Sequence, residues 1–342
     1  MTTIFIRALT IIFALTASAS LQAADSPLGT PASHRGVFSS DYPSQVKAAL
    51  PAVDAGKLTA HLRGIASIAA DEKPLAVTDL PTLQRFFGFR FAQPEKAGDL
   101  VDAGHASYRF DPADARLYVA YRHQDTKPFA RVEFARHLPL IRGQHESLLA
   151  RLGIDPRQIF FTDFRETLSQ TNGSPKQGLD RVGNIESVGA TSVLLRGVDG
   201  MIVEGSRVII GSVDADRVEL VDVKWPPLVV SPLVARLGVV APADHAEYLA
   251  KRIESTSKGR AINTRMAVVL RPVATERGVV HVPSLKVGVQ PQAVRQGDGY
   301  LTEAGEVFFV DLIKTGRIEG DLQPARDPTE SAPLATPPLR RR

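Results

Sequence analysis

Residues 191–225, TSVLLRGVDGMIVEGSRVIIGSVDADRVELVDVKW, constrain this chain more than any other stretch. Val193 and Leu195 alternate with their neighbours, then Met201 and Val203, then Val208 and Ile210. Val218, Leu220 (or Val221) and Val223 continue the pattern after a break. In a strand, residues two apart share a face, so this alternation predicts half-buried β-segments. Between the segments stand Asp199-Gly200, Glu204-Gly205-Ser206 and Asp214-Ala215-Asp216. Gly, Asp and Ser accept the positive φ or side-chain-bonded geometry that a chain reversal requires. The stretch therefore predicts strands joined by tight turns, ending at Trp225-Pro226-Pro227 because proline has no N–H for a sheet ladder.

Helical spacing precedes this meander. Within residues 41–70, Leu58, Leu62, Ile65 and Ala69 fall three and four apart, after an Asp54 suited to cap a helix. A second helical piece is expected after Thr78 and Asp79, with Leu80, Leu83, Phe86 and Phe87 apolar, stopping at Gly88. Tyr108 and Phe110, a turn at Asp111-Pro112-Ala113-Asp114, and Leu117, Val119 and Tyr121 predict a β-hairpin, with Val132 and Phe134 as a third strand. Residues 143–152 predict a short helix ended by Gly153, and Ile159, Phe161 and Phe164 a strand within 158–169. A polar break, TNGSPKQG, spans 171–178.

The order then recurs. Asp244, with Glu247 three residues on, reads as the cap of a helix whose apolar face is Ala246, Leu249, Ala250 and Ile253. Strands are expected at 262–273, 279–289 and 306–313. Strands grouped after helices, rather than strictly alternating with them, predict an α+β fold with helices packed on an antiparallel β-sheet. The recurrence raises the reading of two similar helix-then-strands modules. The chain so divides into a signal peptide at 1–23, a disordered linker at 24–40, a helical and β-hairpin region at 41–140, an α+β module at 141–228, a second at 229–318, and a disordered Pro-rich tail at 319–342.

The N-terminus bears on location. Arg7, the uninterrupted apolar-and-threonine run ALTIIFALTA, and SASLQA ending at Ala23 follow the charged, apolar and small-residue order of a secretory signal. That run is too short to span a bilayer core of about 30 Å. Membrane contact is thus expected only through the signal peptide, and a periplasmic or secreted bacterial protein results. There is no cysteine. Thiol nucleophiles and thiolate metal sites are excluded, and the fold must rest on its core rather than on disulfides. A net charge of +4, with Lys and Arg dispersed along the chain, speaks against nucleic-acid binding, which needs basic residues gathered on one face.

The sequence contains no GxSxG elbow, P-loop or GxGxxG. His145-Glu146 lacks the second histidine of HExxH, so a surface helix is the better reading of that pair and of nearby His137. His61, His105, His123, His245 and His281 are isolated in sequence. Asp214, Asp216, Glu219 and Asp222 invite a calcium reading. Val218 and Glu219 stand where an EF-hand loop needs an oxygen ligand and glycine, so a hairpin turn with solvated flanks is preferred. Trp225 reads as closing a core edge. Asn172-Gly173-Ser174 reads as a plain loop and Gly297-Asp298-Gly299 as a turn. No catalytic, metal-binding or cofactor-binding residue is assigned, and no cofactor is expected.

One resemblance attaches to these residues. Asp199-Gly200-Met201-Ile202-Val203-Glu204-Gly205-Ser206-Arg207-Val208, the apolar run 209–213, Asp214-Ala215-Asp216 and the strand 218–223, preceded by the helix at 143–152, resemble the PepSY and FTP propeptide-like domains of secreted peptidases. The resemblance covers 143–225 and implies a cystatin-like α+β module that inhibits, assists or binds another exported protein. Arg217 stands where those domains favour glycine, and no peptidase domain is expected within these residues. The expectation is an exported, non-catalytic module for a protein or peptide partner, a peptidase among the candidates. A hydrolase with a dispersed acidic and histidine site and a cell-envelope structural or assembly component are the alternatives.

Overall fold

A computed structural model of the chain describes residues 34–72, 75, 84, 99–111, 115–121, 128–170, 185–258, 260–275, 278–296, 299–301 and 305–314. The expected signal peptide, the helix after Thr78, the break at 171–178 and the tail lie outside the described residues. The fold is α+β. Within the stretch expected as a disordered linker, His34–Phe38 is instead strand β1, paired antiparallel with residues 262–266 and burying Phe38, and it leads into helices α1 (Tyr42–Ala49) and α2 (Ala55–Ala70). Asp54 caps α2 as its position predicts, its carboxylate accepting the Lys57 N–H at 2.7 Å, and Leu58, Leu62 and Ile65 are buried. No described helix is long and apolar enough to cross a membrane.

Strands β2 (Val101–Asp102), β3 (Ala106–Asp111) and β4 (Arg116–Tyr121) follow, and β3 and β4 pair as the expected hairpin. The third strand expected at Val132 and Phe134 is a correction. The strand is β5 (Phe129–Ala130), and Arg131–Phe134 forms one helical turn, α3. Val132 is 81% exposed while Phe134 is fully buried against Ile141 and Ala190. Residues two apart in a strand would share a face, so a helical turn is what separates them.

Helix α4 (Leu138–Leu152) ends at Gly153, whose φ of 77° supplies the left-handed cap. Strands β6 (Ile159–Gln170), β7 (Ile185–Val198), β8 (Met201–Ser212) and β9 (Val218–Lys224) then form the antiparallel meander. Asp199 and Gly200, at φ 49° and 78°, turn β7 into β8 through a two-residue loop with both central φ positive. Asp214 organises the next turn, its Oδ1 accepting the N–H groups of Asp216 and Arg217 at 3.0 Å.

Glu204-Gly205-Ser206 is not a turn. These residues lie inside β8, where residues 203–206 stand opposite Arg196 of β7. Val203 is buried before the interruption, and Val208 and Ile210 after it, so the inward face changes from odd to even numbers. Extra residues in one strand restore the inward phase by a bulge, without reversing the chain. Gly205, at φ 75°, is the residue in the left-handed region there.

That bulge is the corner of the molecule. Before it, Ile202 and Val203 pair in parallel with Val269 and Leu270 of β10 (Ile262–Thr275). After it, β8 pairs with β9. Through this switch twelve strands join in one sheet, with β10, β11 (Gly278–Pro291) and β14 (Glu306–Asp311) beyond the corner, while β12 (Val294–Gln296) and β13 (Gly299–Leu301) form a separate pair. Helices α1, α2 and α6 (Ala246–Ser257) share one apolar core with Met201, Val203, Leu270 and Leu285. Leu148 and Leu152 of α4 share another with Tyr108, Leu117, Val208 and Val221. The short α5 (Pro232–Leu237) packs on Val273 and Val282.

Asp244 does not cap α6 as the spacing suggests. It belongs to a 3₁₀ turn, Pro242–His245, and its carboxylate reaches back to the Ala241 N–H at 2.9 Å. Pro242 fixes the chain in a turn one step earlier, so the capping interaction moves with it.

At Gly197 the strands approach too closely for a side chain. A Cβ there would lie 2.4 Å from Phe160 Cβ, an atom that cannot swing aside. Gly197→Ala is expected to lower the thermal midpoint with a loss of about 1–3 kcal/mol. Gly143→Ala, on an exposed face of α4 with nothing within 4 Å, is the control and should be neutral or stabilising. Equal midpoints for the two variants would refute the tight approach.

Candidate functional site

Beside the corner lies a cleft of about 390 Å³. Ile68, Asp71 and Glu72 reach it from the end of α2, and Asp155, Arg157 and Gln158 from the 3₁₀ turn before β6. Val198 and Asp199 come from the β7–β8 hairpin, and Trp225 from the end of the meander. The volume is in the range of small-ligand pockets.

Its floor is held by Arg196, which is fully buried. The guanidinium donates to Gln158 Oε1 at 2.9 Å, to the Pro226 carbonyl at 2.6 Å and to Glu72 Oε1. It also lies 4.9 Å from the centroid of the Trp225 ring. Glu72 closes the arrangement, its second oxygen accepting the Leu228 N–H at 2.9 Å. Burial pulls the Arg196 pKa down to about 10, opposed by the Glu72 carboxylate, so the group keeps its charge at neutral pH. His281, also fully buried, has its pKa brought down to about 4 by burial first and by the Arg196 charge second. Its Nδ1 accepts the Val229 N–H at 3.4 Å.

At the cleft wall His61 Nδ1 lies 2.5 Å from Asp199 Oδ2. The partners are α2 and the tip of the β7–β8 turn, 138 residues apart in sequence. Asp155 is tied to Arg157, whose Nη2 lies 2.7 Å from Oδ2, and that bond holds the Asp155 carboxyl below its usual range.

The other residues singled out in the sequence fall elsewhere. His145 does not sit on the surface face of its helix; it is 1% exposed and points at the sheet. Its Nδ1 lies 2.7 Å from Ser192 Oγ and its Nε2 2.9 Å from Ser212 Oγ. Ser212 gives its one proton to Gln144 Oε1 at 3.2 Å, so Nε2 donates to Ser212 and Nδ1 accepts from Ser192. This neutral imidazole bonded at both nitrogens agrees with a pKa pressed by burial to about 4. It is a structural tie between α4, β7 and β8, closed to solvent. His137 stacks on Phe134, and His105 meets the Tyr121 ring edge-on. His123 and Asn172 lie outside the described residues.

Asp214 is engaged by Arg217, and Asp222 by Arg207 at 3.0 Å, so these acids stabilise their hairpin. Among the described residues no three His, Cys, Asp or Glu side chains gather as metal ligands. Trp225 does close a core edge, 2% exposed, and also forms a cleft wall.

Comparison with family models, curated proteins and solved structures returns no match. The cleft is therefore read from its own residues. Arg196, Glu72 and Asp155 are the ones that local sequence did not single out, while Asp199 was read only as a turn residue and His61 only as an isolated histidine. The sole local hint was Arg196 itself, a charge inside the apolar run VLLRGV.

Proposed function

We propose that this chain is an exported, non-catalytic binding module that receives an extended protein or peptide segment as an added strand on β6. The observation that carries the reading is the outer edge of β6. Twelve residues long, it pairs with β7 on one side, and no described strand pairs with the other. Register is irregular at Ile159/Phe161 and at Thr167/Leu168, and between them the ladder is unbroken. An unpaired edge presents alternating N–H and C=O groups to a further strand, with side-chain contacts setting the choice of partner. Asp163, Arg165 and Glu166 supply charges that discourage indiscriminate edge pairing, while Leu168 stays 46% exposed. The leader-like residues 1–23 support export, and the likeness of 143–225 to propeptide-like domains makes a peptidase the first partner to try.

Hydrogen exchange on the full chain, alone and with co-secreted peptidases, tests the proposal. Amides of 159–170 should slow on complex formation, with loss of peptidase activity. Exchange unchanged along β6 with every peptidase and peptide tried would remove it. A second reading, hydrolysis, is favoured by the His61–Asp199 pair at the cleft, since an aspartate on Nδ1 leaves Nε2 as the imidazole's working nitrogen. Turnover of ester, glycoside or peptide substrates, abolished in His61→Gln, would establish that reading in its place.

A further inference from the structure

The cleft lies at the end of the sheet where β6 begins. Gln158, which lines the cleft, immediately precedes Ile159, where β6 begins. A segment added along β6 would therefore run one end toward the cleft, and alternate side chains of an added strand point to the same side.

The cleft's chemistry limits what that end can be. Ile68, Leu75, Val198 and Trp225 make apolar walls, and Asp71, Glu72, Asp155 and Asp199 line it as well. Two of these carboxylates are already balanced, Glu72 by Arg196 and Asp155 by Arg157. Asp71 has no ion-pair partner among the described residues, and Asp199 bonds His61 through Oδ2 alone. Arg157 is the one basic lining residue among those described, and it is committed to Asp155. An apolar shaft ending in a cation matches such a pocket: methylenes against the walls, charge toward Asp71 and Asp199.

Building on the β6 reading, we infer that the cleft is a specificity pocket for a lysine or arginine side chain of the added strand. Asp71 and Asp199 receive its charge, and Trp225 backs its aliphatic stem. An acidic side chain would face like charge in the same place and is rejected.

Trp225 is the chain's single tryptophan and lines the cleft, so its emission reports occupancy without reference to β6. Two probe pairs are used: Nα-acetyl-lysine methylamide against its norleucine counterpart, and an extended Thr/Val peptide carrying lysine or norleucine at one position. The lysine amide should shift Trp225 emission saturably, with the norleucine amide at least about tenfold weaker. Asp71→Asn and Asp199→Asn should each weaken the lysine probe several-fold, and added salt should weaken it further. Both peptides should slow exchange along 159–170, the lysine peptide at about tenfold lower concentration. Equal responses to lysine and norleucine, or indifference to both Asn substitutions, overturn the basic pocket and leave strand addition standing if β6 is still protected. No protection by either peptide overturns strand addition, and with no lysine-selective Trp225 response it overturns the pocket as well.

Discussion

Arg196→Met is expected to destabilise the fold by about 3–5 kcal/mol, the cost of leaving a buried ion pair with one partner. Methionine fills part of the volume, so the loss is electrostatic more than a cavity effect. It strands the Glu72 carboxylate with only the Leu228 N–H and leaves Gln158 Oε1 and the Pro226 carbonyl without the guanidinium. Arg196 on β7 thereby ties together the end of α2, the turn before β6 and the chain after the meander. Its loss should loosen the corner and the cleft together. Urea unfolding of Arg196→Met, Glu72→Gln and the double variant forms the appropriate cycle. Strong non-additivity is expected, because the second substitution removes the charge that the first left unpaired. A cost under about 1 kcal/mol for Arg196→Met would show that the buried pair does not hold the corner.

The second large effect is loss of stability in mild acid. The folded-state pKa of both His145 and His281 is about 4, well below the ordinary value of 6.5. His245 is shifted the same way by burial. In each case the unfolded chain binds a proton at a pH where the folded chain does not. The stabilising contribution is therefore complete above about pH 6.5 and declines as pH falls toward about 4. Each of the two strongly shifted histidines steepens the pH dependence by about one proton in that window, on the order of a few kcal/mol across it. Together they approach the whole stability of an ordinary domain. Urea midpoints measured from pH 7.5 to pH 4 should fall steeply. His145→Gln should flatten the slope by about one proton, whatever its cost at neutral pH. Arg196→Met should flatten the His281 share in part, since it removes the second cause of that shift. A midpoint constant between pH 7 and pH 4.5 would contradict the burial of both imidazoles as neutral groups.

Much of the architecture was legible because it is written in local chemistry. Asp54 capping α2, Gly153 ending α4 and Asp199-Gly200 turning β7 into β8 depend on residues within a few positions of one another. The phase of the meander was harder. In β7 the sequence offers Val193, Leu194 and Leu195 in succession, and the structure buries Ser192, Leu194 and Arg196 on the inward side. With three apolar residues in a row, alternation cannot choose a face, and a shift of one residue exchanges every side chain across the sheet. Glu204-Gly205-Ser206 misled for a related reason. A bulge and a turn draw on the same residues, and only the pairing partner on the far side distinguishes them. His145 was misplaced on a surface face because its two bonding partners, Ser192 and Ser212, lie 47 and 67 residues away.

By itself the sequence determined the elements: alternation and helical spacing set the strands and helices, and turn residues set most of their ends. It also removed thiol chemistry, by containing no cysteine. The tertiary structure alone decided which β8 neighbour follows which, and so where the sheet turns its corner. It alone brought Glu72 to Arg196 and His61 to Asp199, across 124 and 138 residues. The reason is physical. Period and capping are properties of neighbouring residues, whereas a buried charge finds its partner only after the sheet has closed around both and excluded the water that would otherwise solvate them.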